Sequence, residues 1–296
     1  MIRLFYLGRE TIMKRFLLVG LILSFLICKG TFAAEIFKPI NSPTRLHFQN
    51  IVIEGTIEQG DFNNFYDTVK KLFDTESAIG VVVLNSPGGD VIEAMKIGRL
   101  IRKLHIKTFA PLFYNPKFVC FYNNPKSING QDRCVCSSSC FLIWAGGVSR
   151  NGNYIKVHRP YFSKEYFKGL SGENAKKKYL ALSNDVRKYL KEMNIPTGVI
   201  EEMFQYSSKE IKTLDREVAE SMEWVPFYHE WIIANCGDTV TDKENMAYIQ
   251  LGDKKRNGQK LSRNEQIYRS YIDNKTEKHQ ICEGEKRYEI QYKELK

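Results

Sequence analysis

The run Ile79-Gly80-Val81-Val82-Val83-Leu84 constrains the fold more than any other stretch, because it is short, wholly apolar and leads directly into Ser86-Pro87-Gly88-Gly89-Asp90. A strand apolar on both faces must be covered on both faces, which is the situation of a parallel strand inside an α/β sheet. After the glycine turn, Val91, Met95, Ile101 and Leu104 keep helical spacing, and Ile106 to Pro111 returns as a strand. Strand, turn, helix and strand in this order make a βαβ unit. Before it, Phe48 to Ile57 alternates as a strand, and Gly60-Asp61 opens an amphipathic helix through Phe65, Val69 and Phe73. After it, Asn151 to Val157 reads as one strand, Gly172 to Met193 as a helix with Tyr179, Leu182, Val186 and Tyr189 on one face, and Thr197 to Tyr206 as a shorter helix. The centre of Cys136 to Gly147, Phe141-Leu142-Ile143-Trp144-Ala145, is a buried helix or a buried strand; periodicity does not decide between them.

The first thirty-odd residues stand apart from this pattern. Lys14 and Arg15 precede an apolar run, Phe16 to Cys28, that ends in Thr31-Phe32-Ala33-Ala34, the layout of a secretory signal read from Met13 and cut after Ala33 or Ala34. The expected organisation is a signal peptide over 1–34, an α/β domain over 35–230 and a polar C-terminal extension over 231–296. Removing residues 1–33 takes away five basic residues and one acid, so the formal charge falls from +10 to +6. The lysines at 176–178 and 254–255 lack the aromatic interleaving of a nucleic-acid groove, so no nucleic-acid partner is expected, and no membrane contact beyond the signal segment.

Export changes how the cysteines read. Cys120, Cys134, Cys136, Cys140, Cys236 and Cys282 remain, an even number that implies disulfides in an oxidising compartment. No histidine stands at ligand spacing from the Cys134/Cys136/Cys140 cluster, so neither a metal nor another cofactor is expected. Cys120 and Cys134 flank an Asn-rich loop whose closure contributes roughly 3 kcal/mol by restricting the unfolded chain, and Cys236 with Cys282 tethers a tail poor in apolar surface. Those are the leading pairs, with Cys136 and Cys140 free or bonded to each other.

Three residue sets carry candidate chemistry. Gly88 and Gly89 expose backbone N–H groups near a helix N-terminus, where a developing oxyanion is stabilised. Ser138, within Cys136-Ser137-Ser138-Ser139-Cys140 and just ahead of the apolar run, suits a nucleophile at a strand-to-helix turn. His158 follows a short strand and precedes Arg159-Pro160. Their order, strand, Ser-Pro-Gly-Gly, helix, strand, serine before an apolar run, strand, His-x-Pro, resembles the proteolytic subunit of the Clp protease, over about Ile51 to Val225. A nearer likeness is to exported Clp-like bacterial proteins with Cys-x-Ser-x-Cys before the apolar run.

That resemblance implies a crotonase/Clp-protease-like spiral of repeated ββα units with a small C-terminal extension. It also implies Ser138 as nucleophile, His158 as base, and Gly88, Gly89 and the Ser139 amide around the oxyanion. Ser137 is the rival nucleophile, one register step away. The family's third residue, an aspartate, is expected near Ser207 to Leu214, where none stands; Asp215 lies just beyond, with Ser208 or Glu210 as substitutes. The expected function is a periplasmic or secreted serine hydrolase acting on peptides or unfolded chains, with homo-oligomerisation left open. The alternative is a catalytically silent peptide-binding protein of the same fold, and a crotonase-type acyl-CoA enzyme is the third reading.

Overall fold

A computed structural model of the chain describes residues 34–37, 47–74, 77–114, 117–120, 134–207 and 209–296. The signal segment over 1–33, most of the Asn-rich loop and Ser208 lie outside the described residues. The first elements are β1 (Ala34–Phe37), β2 (His47–Glu54), α1 (Asp61–Asp74), β3 (Ser77–Asn85), α2 (Val91–Lys103) and β4 (Lys107–Phe109). A small hairpin follows, β5 (Leu112–Tyr114) with β6 (Lys117–Val119), then β7 (Cys136–Ser137), α3 (Ser139–Gly146), β8 (Arg150–Asn151) and β9 (Ile155–Val157). The remainder is helical except for β10 (Lys212–Thr213): α4 (Gly172–Glu192), α5 (Thr197–Gln205), α6 (Arg216–Ser221), α7 (Pro226–Cys236), α8 (Asp242–Arg256) and α9 (Arg263–Leu295).

The result is a mixed α/β fold. One sheet has the order β1-β2-β3-β4-β8, with β2, β3, β4 and β8 parallel and β1 antiparallel at the edge. A second sheet has the order β10-β9-β7, with β7 and β9 parallel. The apolar run sits in β3, whose Ile79, Val82 and Leu84 are buried among Ile51 and Ile53 of β2 and Val69 and Phe73 of α1, as expected for a strand covered on both faces.

Two expectations change. Asn151 to Val157 is not one strand: the chain turns at Gly152 (φ 113°), where a Cβ would lie 2.4 Å from the Ala110 carbonyl oxygen, and β8 and β9 enter different sheets. The C-terminal extension, expected as a tail poor in apolar surface, packs polar side chains on the main sheet. α9 lays Glu283, Arg287 and Gln291 against the start of the main sheet, all buried. β4 pairs with β3 only from Val81 onward, so the backbone of Ile79 and Gly80 facing that side needs other partners. Gln291 supplies them, accepting from Ile79 N (2.9 Å) and donating to the Ile79 and Leu104 carbonyls. Arg287 donates to the Ile79, Gly80 and His105 carbonyls.

All six cysteines named above are paired: Cys120–Cys134, Cys136–Cys140 and Cys236–Cys282. The last joins the end of α7 to α9. Among the described residues no helix is long and apolar enough to cross a membrane.

Candidate active site

The C-terminal end of β3 organises the site. Asn85, fully buried, donates through Nδ2 to Glu54 (2.9 Å) and accepts the Val135 N–H through Oδ1 (3.0 Å). Ser86 N–H then donates to the Val135 carbonyl and Ser137 N–H to the Ser86 carbonyl. These bonds lay β7 beside the glycine turn. Gly88 and Gly89 have φ of 100° and 146°, a region open to glycine. A Cβ on Gly88 would lie 2.6 Å from Ser138 Cβ, and one on Gly89 would lie 2.1 Å from the Ile57 carbonyl oxygen, so both positions require glycine for close approach as well.

Asp90 stops the turn. Its Oδ1 caps α2 by accepting from the Ile92 and Glu93 N–H groups, and its Oδ2 accepts from the Tyr166 hydroxyl at 2.7 Å. Burial first, and this bond to Asp90 second, hold the Tyr166 phenol protonated well above its usual range. Tyr166 belongs to the segment that follows His158, so Asp90 ties that segment to the glycine turn. The capping half of this role is legible in Gly-Gly-Asp before a helix; the Tyr166 half has no local sequence signal.

β7 ends at Ser137, and α3 begins at Ser139. Between them Ser138 has φ 58° and ψ −125°, a conformation that an L-residue holds only under constraint. Its N–H donates to the Lys156 carbonyl (2.9 Å), and its carbonyl accepts from Phe141 N–H (3.0 Å). Ser137 is a buried strand residue, whereas Ser138 is half-buried at the turn. All eight residues of α3 are buried, which explains why its sequence has no amphipathic period: it is an interior helix. Its positive end lies at Ser139. Neither Gly89 N–H nor Ser139 N–H has a hydrogen-bond partner among the described residues.

The parallel pairing of β7 with β9 sets Ser137 opposite Lys156, so Ser138 and His158 leave adjacent strands at the same end. His158 is buried, and its Nδ1 lies 2.8 Å from the Arg159 carbonyl oxygen. A carbonyl only accepts, so Nδ1 carries the proton and Nε2 keeps the free lone pair. No hydrogen bond joins Ser138 Oγ to His158 Nε2 among the described residues.

Asp215 is not brought to His158. β10 runs antiparallel to β9, with Lys212 opposite Val157 and Thr213 opposite Lys156, and Leu214 N–H donates to the Ile155 carbonyl. Each further step leads away from His158, so Asp215 lies about 13 Å along the ladder, exposed, at the start of α6. The Ser207 hydroxyl first, and the Ser207 N–H second, hold the Glu210 carboxyl below the usual range. Among the described residues the hydrogen-bond partner of His158 is thus a backbone carbonyl, not a carboxylate. Among the described residues no cluster of three or more His, Cys, Asp or Glu side chains is placed to hold a metal.

No protein-family model matches this chain, and no curated protein matches it. Among solved structures it is similar to a mutant of ClpP1 from Listeria monocytogenes, with a TM-score of 0.40 and 15% identity over 60% of this chain and 88% of that one. The likeness is a weak structural similarity to the Clp protease fold.

Proposed function

We propose that the chain is an exported serine hydrolase with a Clp-protease-like or crotonase-like core, cleaving peptides or already unfolded chains through an acyl-enzyme on Ser138. The observation that carries this reading is the constrained turn at Ser138, flanked by the Gly89 and Ser139 amides, which have no hydrogen-bond partner among the described residues. Strain of this sort collects where a side chain has to be presented to a substrate. His158 Nε2 accepts the hydroxyl proton as Ser138 Oγ attacks the carbonyl carbon, and the two amides hold the oxyanion of the tetrahedral intermediate. Collapse expels the amine, which takes the proton from His158, and water then repeats the sequence to release the acid. The three disulfides support an oxidising compartment, in keeping with a signal peptide over 1–34.

A second reading, a silent peptide-binding protein, is favoured by one observation: no carboxylate among the described residues bonds His158. A fluorophosphonate probe separates the two, since only a serine activated by a neighbouring base attacks the phosphorus centre at neutral pH. The expected product is a single adduct on Ser138, absent from Ser138→Ala. Absence of any adduct on the oxidised wild-type protein would leave the binding protein as the reading.

A further inference from the structure

The disulfide between Cys136 and Cys140 encloses the candidate nucleophile. Cys136 lies in β7 and Cys140 in the first turn of α3, so the bond joins the strand entering Ser138 to the helix leaving it. Their Cα atoms are 5.3 Å apart. Both cysteines are fully buried in the main core. The other two disulfides do different work: Cys120–Cys134 closes the loop ahead of β7, and Cys236–Cys282 joins α7 to α9.

An unconstrained chain has little reason to keep Ser138 at φ 58° and ψ −125°. The bonds that oppose relaxation are few: Ser138 N–H to the Lys156 carbonyl, Ser137 N–H to the Ser86 carbonyl and Phe141 N–H to the Ser138 carbonyl. Each can persist if the strand end and the helix start separate slightly, but the conformation at Ser138 cannot. A covalent link between residues 136 and 140 fixes that separation from both sides. Gly88 closes the space beneath, so the turn has no room to relax downward either.

We infer that the Cys136–Cys140 disulfide is a positioning element for Ser138, so that the reduced chain keeps its fold but attacks far more slowly, and the hydrolase becomes fully active only once these two thiols pass two electrons and two protons to an external disulfide by thiol–disulfide exchange. This rests on the serine-hydrolase reading above. It makes activity conditional on arrival in an oxidising compartment, a latency set by two residues beside the nucleophile.

The test uses the full chain in three forms: oxidised wild type, Cys136→Ala/Cys140→Ala, and Cys236→Ala/Cys282→Ala as the control. Fluorophosphonate labelling reads the chemistry, and amide exchange at Ser138 and Phe141 reads the turn without chemistry. The expected result for the first variant is a labelling rate constant lower by roughly 100-fold, the size of effect that a small misplacement produces, with probe affinity unchanged. Exchange at Ser138 and Phe141 accelerates while the interior of α3 stays protected. The control labels like wild type. Equal labelling of wild type and the Cys136/Cys140 variant, with equal exchange, overturns the inference and leaves the hydrolase reading intact. No labelling of wild type, with accelerated exchange in the variant, overturns the hydrolase reading while the disulfide still holds the turn.

Should the double variant fail to fold, dithiothreitol titration of the wild type replaces it. Each dithiol passes two electrons and two protons to one disulfide and closes to its own cyclic disulfide. Alkylation and peptide mass then give the fraction of each pair reduced. Labelling that falls in step with the Cys136–Cys140 pair and returns on reoxidation supports the inference; labelling that persists with that pair reduced overturns it.

Discussion

Ser138 sits in a conformation that costs an L-residue on the order of 1–3 kcal/mol. Closing the five-residue ring from Cys136 to Cys140 removes unfolded-state entropy of similar size, about 2 kcal/mol, so the bond offsets the strain that it encloses. Gly88 is the other condition. Gly88→Ala would set a Cβ 2.6 Å from Ser138 Cβ and 2.7 Å from the Ser137 carbonyl oxygen, at a φ of +100°. A loss of roughly 2–4 kcal/mol in unfolding free energy by denaturant titration is expected, together with loss of labelling at Ser138. His158→Ala is expected to lower kcat by a factor on the order of 10^3 while the denaturation midpoint moves little, because members of a catalytic set act as a unit. An unchanged rate would remove His158 from the role of base. Ser138 and His158 could be picked out as candidates because nucleophile and base types stand beside small residues at the ends of short apolar segments. Asp215 misled because the register of β10 is set by Leu214, buried against the core with its N–H on the Ile155 carbonyl, and nothing local displays that pairing.

At the scale of elements, the βαβ unit and the helices over 172–193 and 197–206 could be read from period and punctuation, whereas α9 could not. Its buried residues recur every fourth position through Glu283, Arg287, Gln291 and Leu295, so the inward stripe is mostly polar and gives no apolar period. Those side chains replace the strand that β3 lacks at its start. Gln291→Ala takes the partner from the Ile79 N–H and the Leu104 carbonyl in a buried setting, while Arg287 still donates to the Ile79 carbonyl. The expected cost is about 2–4 kcal/mol, seen as a fall of several degrees in melting temperature. A melting temperature equal to wild type would mean that water reaches the sheet start, and that α9 is covering rather than completing it. The split of Asn151 to Val157 between two sheets escaped for a related reason: Gly152-Asn153 looks like an interruption inside a strand, and only the close approach to Ala110 makes it a change of sheet.

Across the whole molecule, the described elements from β1 to α9 belong to one compact unit, and the polar contacts joining its C-terminal helices to the main sheet make its stability depend on pH. His105 follows α2, with its ring edge-on to Phe227, Tyr228 and Trp231 of α7. Burial, reinforced by Arg287 and Arg102, lowers its pKa from 6.5 to about 4. The folded chain therefore holds His105 neutral where the unfolded chain would protonate it. The stability contributed is complete above pH 6.5 and is lost as pH falls toward 4, on the order of 2 kcal/mol once residual solvent exposure is allowed for. Glu283 acts in the same direction at lower pH. Burial alone would raise its pKa, but Lys107, Arg287 and the Tyr228 hydroxyl outweigh burial and hold it below the carboxylate range, so its protonation also favours unfolding. Urea titrations between pH 7.5 and 4 should show unfolding free energy falling through the His105 window. In His105→Asn that part of the slope should disappear: asparagine tolerates the φ of 50° at this position and has no proton to gain. The variant should be less stable than wild type at pH 7.5 and should converge on it toward pH 4, because only the wild type bears the cost of protonating a ring packed against three aromatic side chains and two guanidinium groups. Parallel pH profiles for the two proteins would place the acid sensitivity elsewhere, with Glu283 and Lys107 the next groups to vary.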